Sequence, residues 1–320
     1  MTKATDKISI PAFSTRILEN LEKVIVGKRE KLEFALITLL CNGHLLIEDI
    51  PGVGKTMLAR SLAITLGINF NRIQFTPDML PSDITGVSIF NQQNQDFEFR
   101  PGPVVANIIL ADEINRASPK TQSALLEAME EKQVTVDGVT HPLPEPFMVM
   151  ATQNPIEYEG TFPLPEAQMD RFFLKTNLGY PLLLEEMAII SNQKLLHPIA
   201  QLKPVTNKNE IDAACKIVRS VHVSKAIEKY IVLLVRATRH HPSVYLGASP
   251  RGSICLYKAS QAFAAIEGRD FVIPDDIKKI AFPVLTHRLI IKPSARTHNL
   301  VSEDIIKEIL ETIEIPARVD

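Results

Sequence analysis

The chain has 320 residues, of which 45% are hydrophobic and 22% charged, a composition typical of a folded globular protein rather than a disordered one. Its 35 basic and 37 acidic residues leave a formal net charge of −2, so there is no overall attraction to nucleic acid or to an anionic membrane. Three widely spaced cysteines form neither a disulfide framework nor a CxxC metal motif, and the first residues contain no apolar signal segment, so we expect a cytoplasmic location.

The first half of the chain alternates helical patterns with short apolar strand patterns. The spacing predicts a helix over 29–41 and another that ends at Gly67. Short strand patterns, most of them largely apolar, predict five strands, at 44–48, 72–75, 107–111, 147–152 and 172–178. Such strands, separated by helices, are typical of a parallel sheet covered on both faces, so the fold class is α/β. The uncharged stretch 34–47 is too short for a bilayer, and we expect no membrane span.

Two β-hairpins and a series of helices complete the pattern. The hairpins are predicted over 83–100, with a polar tip, and over 133–141, around an Asp-Gly turn. Helix starts are predicted at Ser224, Ser249, Pro274 and Ser302. The length suggests about two domains. We place a lead-in at 1–20, a core at 20–190 and a helical domain at 200–320, with the boundary in the polar stretch 181–205.

A phosphate-binding loop of the Walker A type is predicted between the first strand and the following helix, in the segment DIPGVGKT at 49–56. Glycines let backbone N–H groups converge on phosphates, and the helix N-terminus adds partial positive charge. Lys55 would reach the β- and γ-phosphates, and Thr56 would ligate Mg²⁺. Asp49 stands where the strict motif has glycine, and a Gly-Pro turn that caps a helix is the alternative interpretation. The predicted cofactors are ATP and Mg²⁺, and the expected nucleotide contacts in this segment are Pro51, Gly52, Val53, Gly54, Lys55, Thr56 and Met57.

Polar residues follow two other predicted strands. Asp112 and Glu113 lie at the end of the strand 107–111, and ligands bind at the carboxyl ends of strands in open α/β sheets. Asp112 would hold Mg²⁺ through water, and Glu113 would orient or deprotonate the attacking water, which favours hydrolysis. Asn154 follows the strand 147–152 and could bind the γ-phosphate or that water. A turn-forming Asn before Pro155 is an equally good interpretation.

The order of these motifs and the helical C-terminal region resemble those of an AAA+ ATPase. The amino-acid sequences of several segments resemble those of the MoxR family in particular. These segments cover most of residues 25–290 and read IVGKRE, LLIEDIPGVGKT, QFTPDMLPSDITG, FRPGPV, ADEINRASPKTQSALLEAMEE, ATQNP, LPEAQMDRF and GASPR. The resemblance implies an AAA+ P-loop αβα core followed by a small all-helical lid domain. It also implies that the two hairpins are insertions in helix 2 and before sensor 1, facing a central pore or a partner.

The resemblance further implies roles for individual residues. Asn154 corresponds to sensor 1, and Arg171 to an arginine finger that reaches the nucleotide of the neighbouring subunit. Arg251 corresponds to sensor 2, and its action within its own subunit or across the interface stays open. Val26 and Gly27 match the region that touches adenine. Arginine suits both roles because it is always charged and can bind two oxygens of a charged transition state.

The same resemblance implies an assembly and a partner. An arginine finger acts across an interface, so the active form would be a homo-oligomeric ring, most simply a hexamer. The family implies a chaperone-like role on a protein client, often with a von Willebrand factor A protein. One alternative is a DNA-handling AAA+ motor, although the near-neutral charge makes nucleic acid an unlikely partner. Another is a nucleotide-gated scaffold with negligible hydrolysis, against which Asp112, Glu113 and Arg171 argue.

Overall fold

The computed structural model describes residues 8–155, 160–192, 197–297 and 299–316. The helices are α1 (Ile10–Glu22), α2 (Arg29–Leu40), α3 (Lys55–Leu66), α4 (Pro81–Thr85), α5 (Pro119–Glu131), α6 (Glu166–Met169), α7 (Leu183–Asn192), α8 (Lys208–Arg219), α9 (Lys225–His240), α10 (Pro250–Ile266), α11 (Pro274–Leu285), α12 (Pro293–Arg296) and α13 (Ser302–Thr312). The strands are β1 (Leu45–Glu48), β2 (Phe70–Gln74), β3 (Gly86–Asn91), β4 (Asp96–Pro101), β5 (Ile108–Asp112), β6 (Gln133–Val136), β7 (Val139–Pro142), β8 (Met148–Gln153), β9 (Leu174–Thr176), β10 (Val244–Leu246) and β11 (Ile290–Ile291).

A five-stranded parallel sheet in the order β2-β5-β8-β1-β9 forms the centre of the first half of the chain. All five strands predicted from the sequence are present, and the predicted α/β class is confirmed. Because the strands are parallel, their carboxyl ends meet at one edge and their amino ends at the other. We call these the carboxyl edge and the amino edge of the sheet.

Both faces of the sheet are buried under helices. Side chains alternate along a strand, so Ile108 and Leu110 join the apolar cluster that includes α1, α2 and α3, whereas Ile109 and Ala111 join the cluster that includes α5. Every residue of β5 is buried. This two-sided burial explains why β5 and β8 read as nearly continuous apolar runs in the sequence.

The segment 1–20, predicted as a lead-in, contains most of helix α1, which the sequence patterns above do not predict. Its apolar residues Ile10, Phe13, Ile17 and Leu21 recur at helical spacing and are buried. They belong to the same cluster as residues of α3 and α10, so this helix joins the sheet-containing half to the helical half. The domain limits drawn from the sequence stay a prediction.

Both predicted hairpins are present as antiparallel pairs, β3 with β4 and β6 with β7. Phe90 and Phe97 on the first hairpin are large exposed apolar residues. The C-terminal half is helical, as predicted, apart from the short antiparallel pair β10–β11. None of the helices in the described part of the chain has the length and apolar character that crossing a bilayer needs.

Candidate functional site

The predicted phosphate loop joins the carboxyl end of β1 to the start of α3. Gly52 and Gly54 have φ of 85° and 93°, a region where a side chain would be strained, so glycine is required at both positions. Gly54 directly precedes α3, whose first N–H groups therefore face the loop. The Lys55 ammonium donates to the Asp49 carbonyl at 2.8 Å and so lies over the loop. This geometry suits a phosphate group.

Asp49, the departure from the strict motif, has a structural role. Its Oδ2 accepts hydrogen bonds from the backbone N–H groups of Leu178 (2.6 Å) and Gly179 (2.8 Å), and its Oδ1 accepts from Ile50 N–H (2.9 Å). The residue is only 7% exposed. Hydrogen bonds to a charged acceptor compensate for its burial. Asp49 thus ties the start of the loop to the segment after β9.

A mainly apolar pocket of about 230 Å³ lies beside the loop. Val26, Gly52, Val53, Gly54 and Met57, all predicted nucleotide contacts, line it. Gly179, Pro181 and Ile189, which the sequence did not indicate, also line it. An apolar slot next to a phosphate loop can take a planar base. Gly27, Pro51 and Thr56 are not among the lining residues: Gly27 follows Val26 in a turn, Pro51 lies in the loop, and Thr56 is in the first turn of α3.

Asp112 ends β5 at the carboxyl edge and is buried. Its Oδ1 accepts a hydrogen bond from Thr152 Oγ1 at 2.6 Å, and its Oδ2 accepts from Arg72 Nε at 3.0 Å and Nη2 at 2.6 Å. These contacts fix the orientation of the carboxylate. A carboxylate from Asp112 and a hydroxyl from Thr56 are oxygen ligands of the kind Mg²⁺ prefers, so the residues present fit the predicted ion.

Glu113 follows with φ of 58°, a left-handed conformation that is uncommon outside glycine and recurs at functional sites. Its backbone N–H donates to Thr152 Oγ1 at 2.8 Å. Its Oε2 accepts from Gln74 Nε2 at 2.9 Å and lies 3.1 Å from Arg116 Nε. The Thr152 hydroxyl therefore connects both acidic residues, and Gln74 and Arg116 hold the Glu113 side chain.

Asn154 directly follows β8 and is buried. Strand β8 lies between β5 and β1, so Asn154 is at the carboxyl edge between Asp112 and the phosphate loop. The structure therefore gathers the loop, the two acids and this amide at one edge of the sheet.

Arg171 and Arg251 lie elsewhere. Arg171 precedes β9, where Phe173 N–H donates to His44 O at 2.7 Å beside the start of β1. Arg251 is in the first turn of α10, and its Nη2 contacts Glu130 Oε1 at 2.5 Å. Arg171 Nε contacts the other oxygen, Glu130 Oε2, at 3.1 Å. Both arginines are thus near the amino edge, whereas the phosphate loop begins at the other end of β1, a strand of four residues or roughly 13 Å.

His44 connects the start of β1 to the helix that carries Glu130. Its Nδ1 accepts from Val149 N–H at 3.0 Å, so Nε2 carries the proton that is donated to Met129 O, also at 3.0 Å. Burial lowers the pKa of His44 to about 4. The ring is therefore neutral at pH 7, and it holds the C-terminal turn of α5 against the sheet.

Several residues of this site were missed in the sequence. Arg72 and Gln74 lie two apart on β2, and Gln74 pairs with Asp112 in the sheet. This alternation of polar residues beside the carboxyl edge is a signal that could have found them. Glu130 gave a weaker signal: it is an acid in the last turn of a helix, where the helix dipole disfavours negative charge.

Comparisons with known proteins show the family to which the chain belongs. The family model described as "ATPase family associated with various cellular activities (AAA)" matches residues 44–174, and an AAA lid domain model matches 236–309. The chain is 54% identical to the uncharacterized protein YeaC of Bacillus subtilis (strain 168), over 95% of each chain. It is 43% identical to Chaperone MoxR1 of Mycobacterium tuberculosis, covering 94% of this chain and 82% of that protein.

A solved structure is similar to this chain over nearly its whole length. A solved crystal structure of a protein from Cytophaga hutchinsonii superposes with a TM-score of 0.89 at 40% identity, over 96% of both chains. The chain therefore belongs to the MoxR family of AAA+ ATPases, as its motifs predicted.

Proposed function

We propose that this protein is a Mg²⁺-dependent ATPase whose complete active site forms between two copies of the chain. The observation that carries this proposal is the separation of the two halves of the site. The phosphate loop, Asp112, Glu113 and Asn154 lie at the carboxyl edge, while Arg171 and Arg251 lie together at the amino edge. An arginine that cannot reach the nucleotide of its own chain can reach that of a neighbour in a ring.

Within one chain, each group at the carboxyl edge has a distinct task. The loop N–H groups and Lys55 bind the phosphates, and the apolar pocket beside Val26 and Met57 holds the base. Thr56 and Asp112 would hold Mg²⁺, which neutralises charge on the phosphate oxygens when bound. Glu113 orients the attacking water and accepts its proton, and Asn154 donates a hydrogen bond to that water or to the γ-phosphate.

The neighbouring chain contributes Arg171 and Arg251, which stabilise the charge that develops on the transferred phosphoryl group. Each chain would then receive arginines from one neighbour and give them to the other. This is a head-to-tail contact, which closes into a ring when the rotation permits. A hexamer is the ring we propose, on the resemblance to other AAA+ proteins.

The proposed outcome of turnover is the remodelling or maturation of a protein client, with a von Willebrand factor A protein as a candidate partner. A relative at 43% identity is called a chaperone, which supports a protein client. The exposed Phe90 and Phe97 on the β3–β4 hairpin are suited to an apolar segment of such a client. The near-neutral charge of the chain does not favour DNA.

Glu113→Gln tests the chemistry directly. We expect this variant to bind ATP as the wild type does and to lose phosphate release by roughly a hundredfold or more, because the general base is removed. Glu131→Gln, an exposed residue of the same type, is the matched control and should retain the wild-type rate. Continued hydrolysis by Glu113→Gln would contradict its assignment as the residue that activates water.

A further inference from the structure

Glu130 contacts both arginines of the amino edge at once. One carboxylate oxygen meets Arg171 Nε at 3.1 Å and the other meets Arg251 Nη2 at 2.5 Å. Arg171 Nη1 also donates to Leu126 O at 2.7 Å. Since a guanidinium has five N–H donors, each arginine keeps donors for a further oxyanion. Both side chains are partly exposed, at 32% and 40%, so a ligand can approach from solvent.

The position of Glu130 is unfavourable for an acid unless a cation is nearby. It lies in the last turn of α5, and that turn contains no basic residue. The C-terminus of a helix carries partial negative charge. The two guanidiniums supply the missing positive charge. They also repel each other, and the carboxylate between them offsets that repulsion. Glu130 therefore brings together two cations that would otherwise separate.

The backbone segments that carry the two arginines are joined as well. Asp170 Oδ2 accepts from Ser249 Oγ at 2.7 Å, and Ser249 Oγ accepts from Arg251 N–H at 3.0 Å. Asp170 Oδ1 accepts from Arg288 Nε at 2.8 Å, and the buried Arg288 also donates to Phe172 O at 2.6 Å. The backbone segments that carry Arg171 and Arg251 are thus joined through Asp170, and their guanidinium groups are held by Glu130.

We infer that Glu130 is a positioning residue that holds Arg171 and Arg251 as one unit, ready for the nucleotide of the neighbouring subunit. This inference rests on the proposed function, because it requires the arginines to act across the interface. In this role Glu130 acts through the two arginines rather than by a contact of its own with the nucleotide. Its loss should lower turnover in the neighbour and leave nucleotide affinity in its own chain unchanged.

A complementation assay separates the two roles of each subunit. Lys55→Ala subunits keep the arginines and lose the phosphate loop, whereas Arg171→Ala subunits keep the loop and lose one arginine. Each variant alone should be nearly inactive. In an equal mixture, about a quarter of the interfaces combine an intact loop with intact arginines, since the contact is head-to-tail, and activity should return in that proportion.

Glu130→Gln is then placed in one subunit type at a time. In the Lys55→Ala subunit, which donates the arginines, it should reduce the recovered kcat roughly 10- to 100-fold, because small misplacement of a charged group has effects of that size. In the Arg171→Ala subunit it should leave the recovered rate within about twofold, because that subunit's arginines are already defective. Glu130→Asp in the donor keeps the charge and should restore part of the rate. Glu131→Gln in either subunit is the control.

The outcomes are distinguishable. Loss of activity only when the donor carries Glu130→Gln supports the inference. An equal loss of activity in both placements, no loss in either, or a faster rate would overturn the inference. None of these outcomes would contradict the proposal that the active site is shared between two chains. Failure of the starting mixture to recover activity would contradict the proposed function itself. Circular dichroism shows that each variant is folded, and fluorescent-ATP binding adds the same check for the variants that keep Lys55.

Discussion

Replacing Asp49 by glycine would restore the strict phosphate-loop motif, yet we expect this change to weaken the protein. Asp49 Oδ2 holds the N–H groups of Leu178 and Gly179 at 2.6 and 2.8 Å, across 129 and 130 residues of sequence. A hydrogen bond to a charged acceptor contributes about 1.5 kcal/mol or more, so losing both lowers the free energy of unfolding by about 3 kcal/mol. A glycine at this position would also add backbone freedom to the unfolded chain.

Urea unfolding followed by circular dichroism measures the loss, and titration with fluorescent ATP measures its effect on the site. We expect ATP affinity to fall, because Gly179 lines the base pocket and loses its tie to the loop. Asp49→Asn, which keeps one acceptor oxygen, should be intermediate. An Asp49→Gly protein within about 0.5 kcal/mol of the wild type would refute the structural role assigned to this carboxylate.

Three further changes test other parts of the site. Lys55→Ala should abolish ATP binding, and retained affinity in the same titration would contradict the phosphate loop. Thr152→Val removes the hydroxyl that joins Asp112 and Glu113; we expect roughly tenfold lower kcat with little change in KM, whereas a wild-type kcat would show that this link is dispensable. Because burial lowers the pKa of His44 from 6.5 to about 4, the unfolded chain takes up a proton first as pH falls, and this residue should cost the native state about 2 kcal/mol between pH 7.5 and pH 5. In urea unfolding, the free energy of unfolding of His44→Gln should depend less on pH than that of the wild type. The same dependence on pH in both proteins would contradict the neutral buried ring.

The strands of the sheet were accessible from the sequence because burial on both faces leaves a simple signal. The runs at 108–111 and 147–151 are continuous apolar segments followed directly by polar residues. Helix α1 carries an equally regular apolar pattern, but it lies before the first predicted strand, in the segment predicted as a lead-in. The local periodicity of this segment is sufficient to predict a helix.

The contacts that organise the site could not be predicted in this way. Asp49 meets Leu178, and Glu130 meets Arg251 across 121 residues, so both contacts depend on how distant segments pack. The edge of the sheet at which Arg251 lies depends on the docking of α10 beside Asp170 and Arg288. No spacing in the sequence encodes that docking. It decides, however, that this arginine is far from the phosphate loop of its own chain.

The proposal of a shared active site is tested most directly by the ATPase rate per chain as a function of protein concentration, with the oligomeric state measured in the same samples by mass photometry. We expect the rate per chain to fall towards zero as the assembly dissociates, while each monomer still binds ATP. A rate per chain that stays constant down to concentrations at which the protein is monomeric would contradict a site shared between two copies.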